Sequence, residues 1–158
     1  MGNRNIKEIE TKGILKTGQK GLYWFWTDLS NDDLSEFTSS ESGEIDFREI
    51  INRRKSLSYS NKMVTEDGFR LVYNGIGDGL RERILQELRG SSGTTGTLSL
   101  NSKGESSNWK VSYIDIDEVD RINDELNDEA DEIIYREWIH KLERDWRIEF
   151  GWPILCEK

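Results

Sequence analysis

The chain has one cysteine, one proline and one histidine in 158 residues. A single cysteine, Cys156, excludes an intramolecular disulfide and a cysteine-based zinc cluster, and it suits a reducing cytosol. No apolar run approaches the ~20 residues that a membrane-spanning helix needs. The opening residues, MGNRNIKEIE, contain no signal-peptide core, and Ile6 stands where a myristoylation signal needs Ser or Thr. These absences point to a soluble cytoplasmic protein with no membrane partner. Hydrophobic residues are also scarce, at 34%, and are matched by 34% charged residues. Six Trp, five Tyr and five Phe nevertheless argue against disorder, and the length suits one domain, 1–158, with a real core.

The net charge of −9 is unevenly spread. Asp115 to Glu132 carries ten acids and one base, leaving 21 acids and 21 bases elsewhere. A solvated helix face is the ordinary reading of such a run, and mimicry of DNA a remoter one. Positive charge gathers at Arg48, Arg53, Arg54, Lys55 and Lys62, where contacts to nucleic-acid phosphates would add a salt-dependent affinity.

The chain is organised around VYNGIGDGLRER, Val72 to Arg83. A strand (Leu71, Val72, Tyr73) is expected to break at Gly75, Gly77 and Gly79 and to re-emerge as a helix with Leu80, Ile84, Leu85 and Leu88 on one face. A glycine turn before a helix N-terminus lets a phosphate approach backbone N–H groups. No Lys-Ser/Thr follows the glycines, so this is not a nucleotide-binding P-loop, and the dinucleotide fingerprint is incomplete. Upstream, GLYWFWT (Gly21 to Thr27) reads as a buried strand that could pair with it.

With Gly21-Leu22-Tyr23 and Tyr73-Asn74-Gly75 as two signatures, Arg83 ten positions after the second tyrosine, and Glu143 followed by Trp146 and Pro153, the chain resembles the GIY-YIG nucleases. The resemblance implies a small α/β domain, a mixed three-stranded sheet flanked by helices. It implies metal-dependent hydrolysis of DNA phosphodiesters, as in a restriction-type endonuclease. Tyr23 and Tyr73 would act as base or water-positioning groups, in either order. Arg83 would hold the phosphate, and Glu143 would bind Mg2+ or Mn2+. Arg53, Arg54, Lys55 and Arg81 are the candidate DNA contacts. Whether two copies pair as a homodimer is left open.

Three features depart from that pattern. Residues 28–68 form a long insertion between strands that are normally joined by a short turn; in it, Asp46 is expected to cap a helix carrying Phe47, Ile50 and Ile51. Glu87 stands where many relatives have His or Tyr, and Cys156 where they have Asn. These two favour the alternative, an inactive module that binds DNA or a protein. His140, one turn before Glu143, reads foremost as a surface or packing residue.

Elsewhere, Ser91 to Ser107 reads as a Gly/Ser/Thr loop with a short strand at Thr97 to Leu100 and a hairpin turn at Asn101 to Gly104. Trp109 to Ile116 reads as a half-buried strand, and Val119 to Trp146 as helical. The tail is expected to stop the helix at Gly151 and Pro153 and to tuck Ile154 and Leu155 onto the core.

Overall fold

A computed structural model describes residues 4–5, 15–39, 43–54, 64–90, 96–115 and 132–156. Lys55, Lys62, most of the acidic segment (116–131) and the helical pattern from Val119 to Ala130 lie outside the described residues. The elements in order are β1 (Arg4–Asn5), β2 (Gly21–Thr27), α1 (Asn31–Ser35), α2 (Phe47–Arg54), β3 (Thr65–Glu66), β4 (Phe69–Gly77), α3 (Leu80–Arg89), β5 (Trp109–Asp115) and α4 (Glu132–Phe150). No helix among them is long and apolar enough to cross a membrane.

The α/β class is as expected, but the sheet is neither mixed nor three-stranded. Its strand order is β1-β5-β2-β4-β3, and every adjacent pair is antiparallel. β4 and β5, linked through α3, do run parallel to each other. β2 lies between them, antiparallel to both, so no parallel pair is adjacent. The two extra strands have two residues each, too short to leave an alternating pattern in the sequence.

Helices cover both faces, which is why all seven residues of β2 are buried and why GLYWFWT is almost continuously apolar. One face carries Tyr23, Phe25, Val72, Tyr73, Trp109 and Val111 against α2, α3 and the tail. On α3 the residues turned to it are Leu80, Ile84 and Leu88, each worth about 1.5–3 kcal/mol if fully buried. The opposite face carries Leu22, Trp24, Trp26 and Leu71, covered by Leu142 and Trp146 of α4. The register of β4 against β2 shifts between Phe25 and Trp26, which face Tyr73 and Leu71; Val72 is the extra residue of a β-bulge.

The insertion is built into the core. Asp46 caps α2 through its Oδ1, which accepts from Glu49 N at 2.9 Å, and Phe47, Ile50 and Ile51 join the cluster around Tyr23 and Trp109. The expected strand at Thr97 to Leu100 is reduced to one parallel bridge between Glu44 and Thr97. In place of a hairpin, 3-10 turns at Leu100–Ser102 and Ser106–Asn108 lead into β5. The tail behaves as expected. Gly151 takes the left-handed φ of 95°, Leu155 is buried, and Leu155 N donates to Val72 O at 2.8 Å.

Candidate active site at the edge of strand β4

Tyr23 and Tyr73 lie on one face of the sheet because β2 and β4 pair with Tyr23 opposite Gly75 and Phe25 opposite Tyr73. The strand does not break at Gly75. It runs on through Gly77, and none of Gly75, Gly77 and Gly79 has positive φ. Their purpose is close approach: a Cβ on Gly75 would lie 2.5 Å from Tyr23 Oη, and one on Gly77 3.2 Å from Arg83 Cβ. The start of α3, expected as a phosphate anchor, is engaged by the protein itself: Leu80 N donates to Gln19 O at 2.6 Å.

Beneath the tyrosines sits Glu87, fully buried, one turn along α3 from Arg83. Its Oε1 accepts from Tyr23 Oη at 3.0 Å and from Tyr73 Oη at 3.3 Å, and it is 2.7 Å from the Arg83 guanidinium. Oε2 accepts from Leu98 N at 2.8 Å. Arg83 Nε also donates to Tyr23 Oη at 3.3 Å. Three donors therefore share one carboxylate oxygen, the arrangement a buried carboxylate needs to remain charged. Burial pushes the Glu87 carboxyl up, against the opposing pull of Arg83 and of the hydrogen bonds. Burial, then the Glu87 charge, pushes both phenols far above the ordinary tyrosine value. Neither tyrosine is a free phenolate near neutral pH.

On the α4 side, Glu143 Oε1 is 2.7 Å from the Arg147 guanidinium. Burial raises the Glu143 carboxyl, with Arg147 and His140 pulling the other way. Arg147 Nε donates to Asn74 Oδ1 at 2.9 Å, and its guanidinium lies 4.5 Å from the Trp152 ring centre. Because Arg147 has only donors, this bond fixes the Asn74 amide with Nδ2 on the other side. Asn74 Nδ2 and Trp152 Nε1 are buried donors with no partner among the described residues.

The two groups meet. β3 covers only Phe69 and Arg70 of the outer edge of β4, and the tail follows as far as Asn74, whose N–H donates to Cys156 Sγ. At Gly75 and Ile76 the edge borders a cleft of about 740 Å³, lined by Tyr23, Tyr73 and Arg83 together with His140, Glu143, Arg144 and Arg147. All four residues expected at the site thus border one cavity, although they come from two strands and two helices.

The basic candidates divide. Arg54 donates to the Pro153 and Cys156 carbonyl oxygens and holds the tail. Arg53 is exposed, with Glu49 at 3.6 Å, and Arg81 is partly exposed on α3. Arg144 faces the cleft from an exposed position. Among the described residues no three His, Cys, Asp or Glu side chains group to hold a metal ion. A magnesium site here would rest on Glu143 as its one carboxylate, a donor set such an ion accepts when waters and substrate oxygens complete it.

Sequence reasoning missed Glu87 as a hub and Arg147 as the partner of Glu143. Both form i,i+4 ion pairs, a spacing visible in the sequence. Asn74 gave no such signal. Comparison with protein-family models, curated proteins and solved structures finds no match.

Proposed function

We propose that this chain is a metal-dependent DNA endonuclease of the GIY-YIG type, hydrolysing phosphodiester bonds in the manner of a restriction-type enzyme. The observation that supports it most is that Tyr23, Tyr73, Arg83 and Glu143 border one cleft. Two further features suit an oxygen-rich ligand: the cleft is bordered by three arginines, and two N–H donors of its lining residues have no partner among the described residues.

Arg83 holds a phosphate oxygen with the part of its guanidinium not turned to Glu87, its side chain keeping 24% of its surface exposed. The tyrosine hydroxyls orient the attacking water. Glu143 holds Mg2+ or Mn2+, which when bound supplies charge that polarises the phosphodiester and stabilises the leaving oxygen. Arg144, Arg81 and Arg53 contact flanking phosphates and add sequence-independent affinity.

A second reading has its own observation. The close Arg83–Glu87 pair neutralises the phosphate-binding cation, as in a nuclease-like module that binds DNA or a protein without cutting.

Incubation of the purified chain with supercoiled plasmid, with and without magnesium or manganese, beside Glu143→Ala, decides between them. Metal-dependent nicking that disappears in the variant supports the endonuclease. Failure to cut any of several DNAs, with binding retained, selects the second reading.

A further inference from the structure

Tyrosine as general base poses a difficulty in this cleft. Both phenols are buried beside a carboxylate, and neither gives up its proton readily. A base is still required, because water attacks phosphorus only as its proton leaves.

The geometry points to Glu87 as the proton acceptor of the site, reached through the hydroxyl of Tyr73. This rests on the nuclease reading and adds a residue to it. Of the two tyrosines that border the cleft, Tyr73 is the less buried. It keeps 9% of its surface against 0% for Tyr23, whose oxygen already receives Arg83 Nε at 3.3 Å. Tyr73 Oη donates to Glu87 Oε1 at 3.3 Å and is also within reach of Arg83, which leaves one acceptor position for a water in the cleft.

The step balances. One O–H bond of the water breaks as its oxygen bonds to phosphorus, and that proton goes to Tyr73 Oη. The proton already on Tyr73 passes to Glu87 Oε1, and the P–O bond to the leaving group breaks with its electron pair on the leaving oxygen. Tyr73 ends as it began, so no phenolate forms. Glu87 ends protonated and later returns the proton to solvent.

The groups that face Glu87 are Tyr23 from β2, Tyr73 from β4, Arg83 from its own helix and Leu98 N from the following loop. Arg83 and Leu98 N favour the ionised form of Glu87, the form that can accept a proton. Burial raises its carboxyl and makes it a better acceptor than an exposed glutamate. Glu87 touches no substrate atom and is a positioning residue that also stores the proton.

The test compares the full chain with Glu87→Gln, Tyr73→Phe and the double variant. Plasmid nicking in magnesium is followed from about pH 5 to about pH 9, with DNA affinity measured at one salt concentration. Each single variant is expected to lose about 100-fold in kcat with affinity unchanged. The double variant is expected to be no slower than the slower single, because the two act in one relay. The full chain should lose activity as pH falls and Glu87 takes up its proton in advance; the residual activity of both variants should lack that acid limb. Tyr73→Phe keeps the ring and its packing, so it carries the test where Glu87→Gln does not fold. Nicking by Glu87→Gln at the full rate, or single losses that multiply in the double variant, overturns the relay while the nuclease stands. No cleavage by the full chain overturns the nuclease and the relay with it.

Discussion

Tyr23 Oη lies where a side chain on Gly75 would have to be: the two residues face each other across β2 and β4, and a Cβ at 75 would come within 2.5 Å of the hydroxyl and 2.7 Å of the ring carbon that bears it. Such a contact cannot be absorbed without moving a fully buried ring. Gly75→Ala is expected to destabilise the fold by about 1–3 kcal/mol, the usual cost of overpacking. Urea denaturation beside the wild type measures it. An unchanged midpoint would mean that Tyr23 does not sit over Gly75.

The buried Glu87 makes stability depend on pH with a definite sign. Its carboxyl is raised on folding, so the folded chain binds that proton more tightly than the unfolded chain does. Its favourable contribution is full below the unfolded value and is lost as pH rises through the folded one. Glu87→Gln, which never ionises, should therefore gain on the wild type between about pH 5 and about pH 8. Denaturation of both proteins at the two pH values gives the comparison, and a constant difference would contradict the shift.

Removing the carboxylate altogether is a harsher change. Glu87→Ala leaves the Arg83 guanidinium and two phenols without their common acceptor, at a cost of about 3–5 kcal/mol. A thermal melt that moves by only a degree or two would show that the hub carries little of the stability.

The arginines at and near the end of α2 and at the start of α3 separate by what they touch. Arg54→Ala removes charged donors from the Pro153 and Cys156 carbonyls and should cost about 1–3 kcal/mol of stability while leaving the salt dependence of the proposed DNA affinity unchanged. Arg81→Ala should do the reverse and reduce the slope of log affinity against log salt by about one. If Arg54→Ala also flattens that slope, its guanidinium reaches phosphate in solution.

Cys156 is buried where the tail docks beside Asn74, and burial pushes its thiol up to about 11. A thiol-exchange reagent should label the native protein only at the rate at which it opens, with full labelling in denaturant. Immediate labelling of the native chain would contradict the docking of residues 153–156.

What could be read from the sequence was what periodicity and local chemistry carry. GLYWFWT announced a strand covered on both faces, Asp46 a helix start, and Gly151 with Pro153 a helix end. Tyr23, Tyr73, Arg83 and Glu143 were legible as a set only through the resemblance to the GIY-YIG nucleases, and they border one cleft. The glycines were misread because a loop and a close approach require the same residue. Only the register of β2 on β4 shows that Gly75 makes room for Tyr23. Arg54 was read as a surface cation because the segment it holds comes about a hundred positions later in the chain. Glu87 registered as a departure and not as a hub, since its meaning depends on two strands lying over α3.

Val72 decides on which side of the sheet the Tyr73 hydroxyl lies. Side chains along a strand alternate, so Leu71 and Tyr73 would ordinarily share a face, and that face is the tryptophan-rich one beneath α4. The bulge adds one to the count, and from Tyr73 onward the odd positions turn to the face that holds Tyr23 and Glu87. Parity, then, is what joins the two halves of the site. Were β4 to run straight through Val72 without the bulge, almost every residue of the core would be kept and the second phenol would still pass through the sheet, away from Glu87.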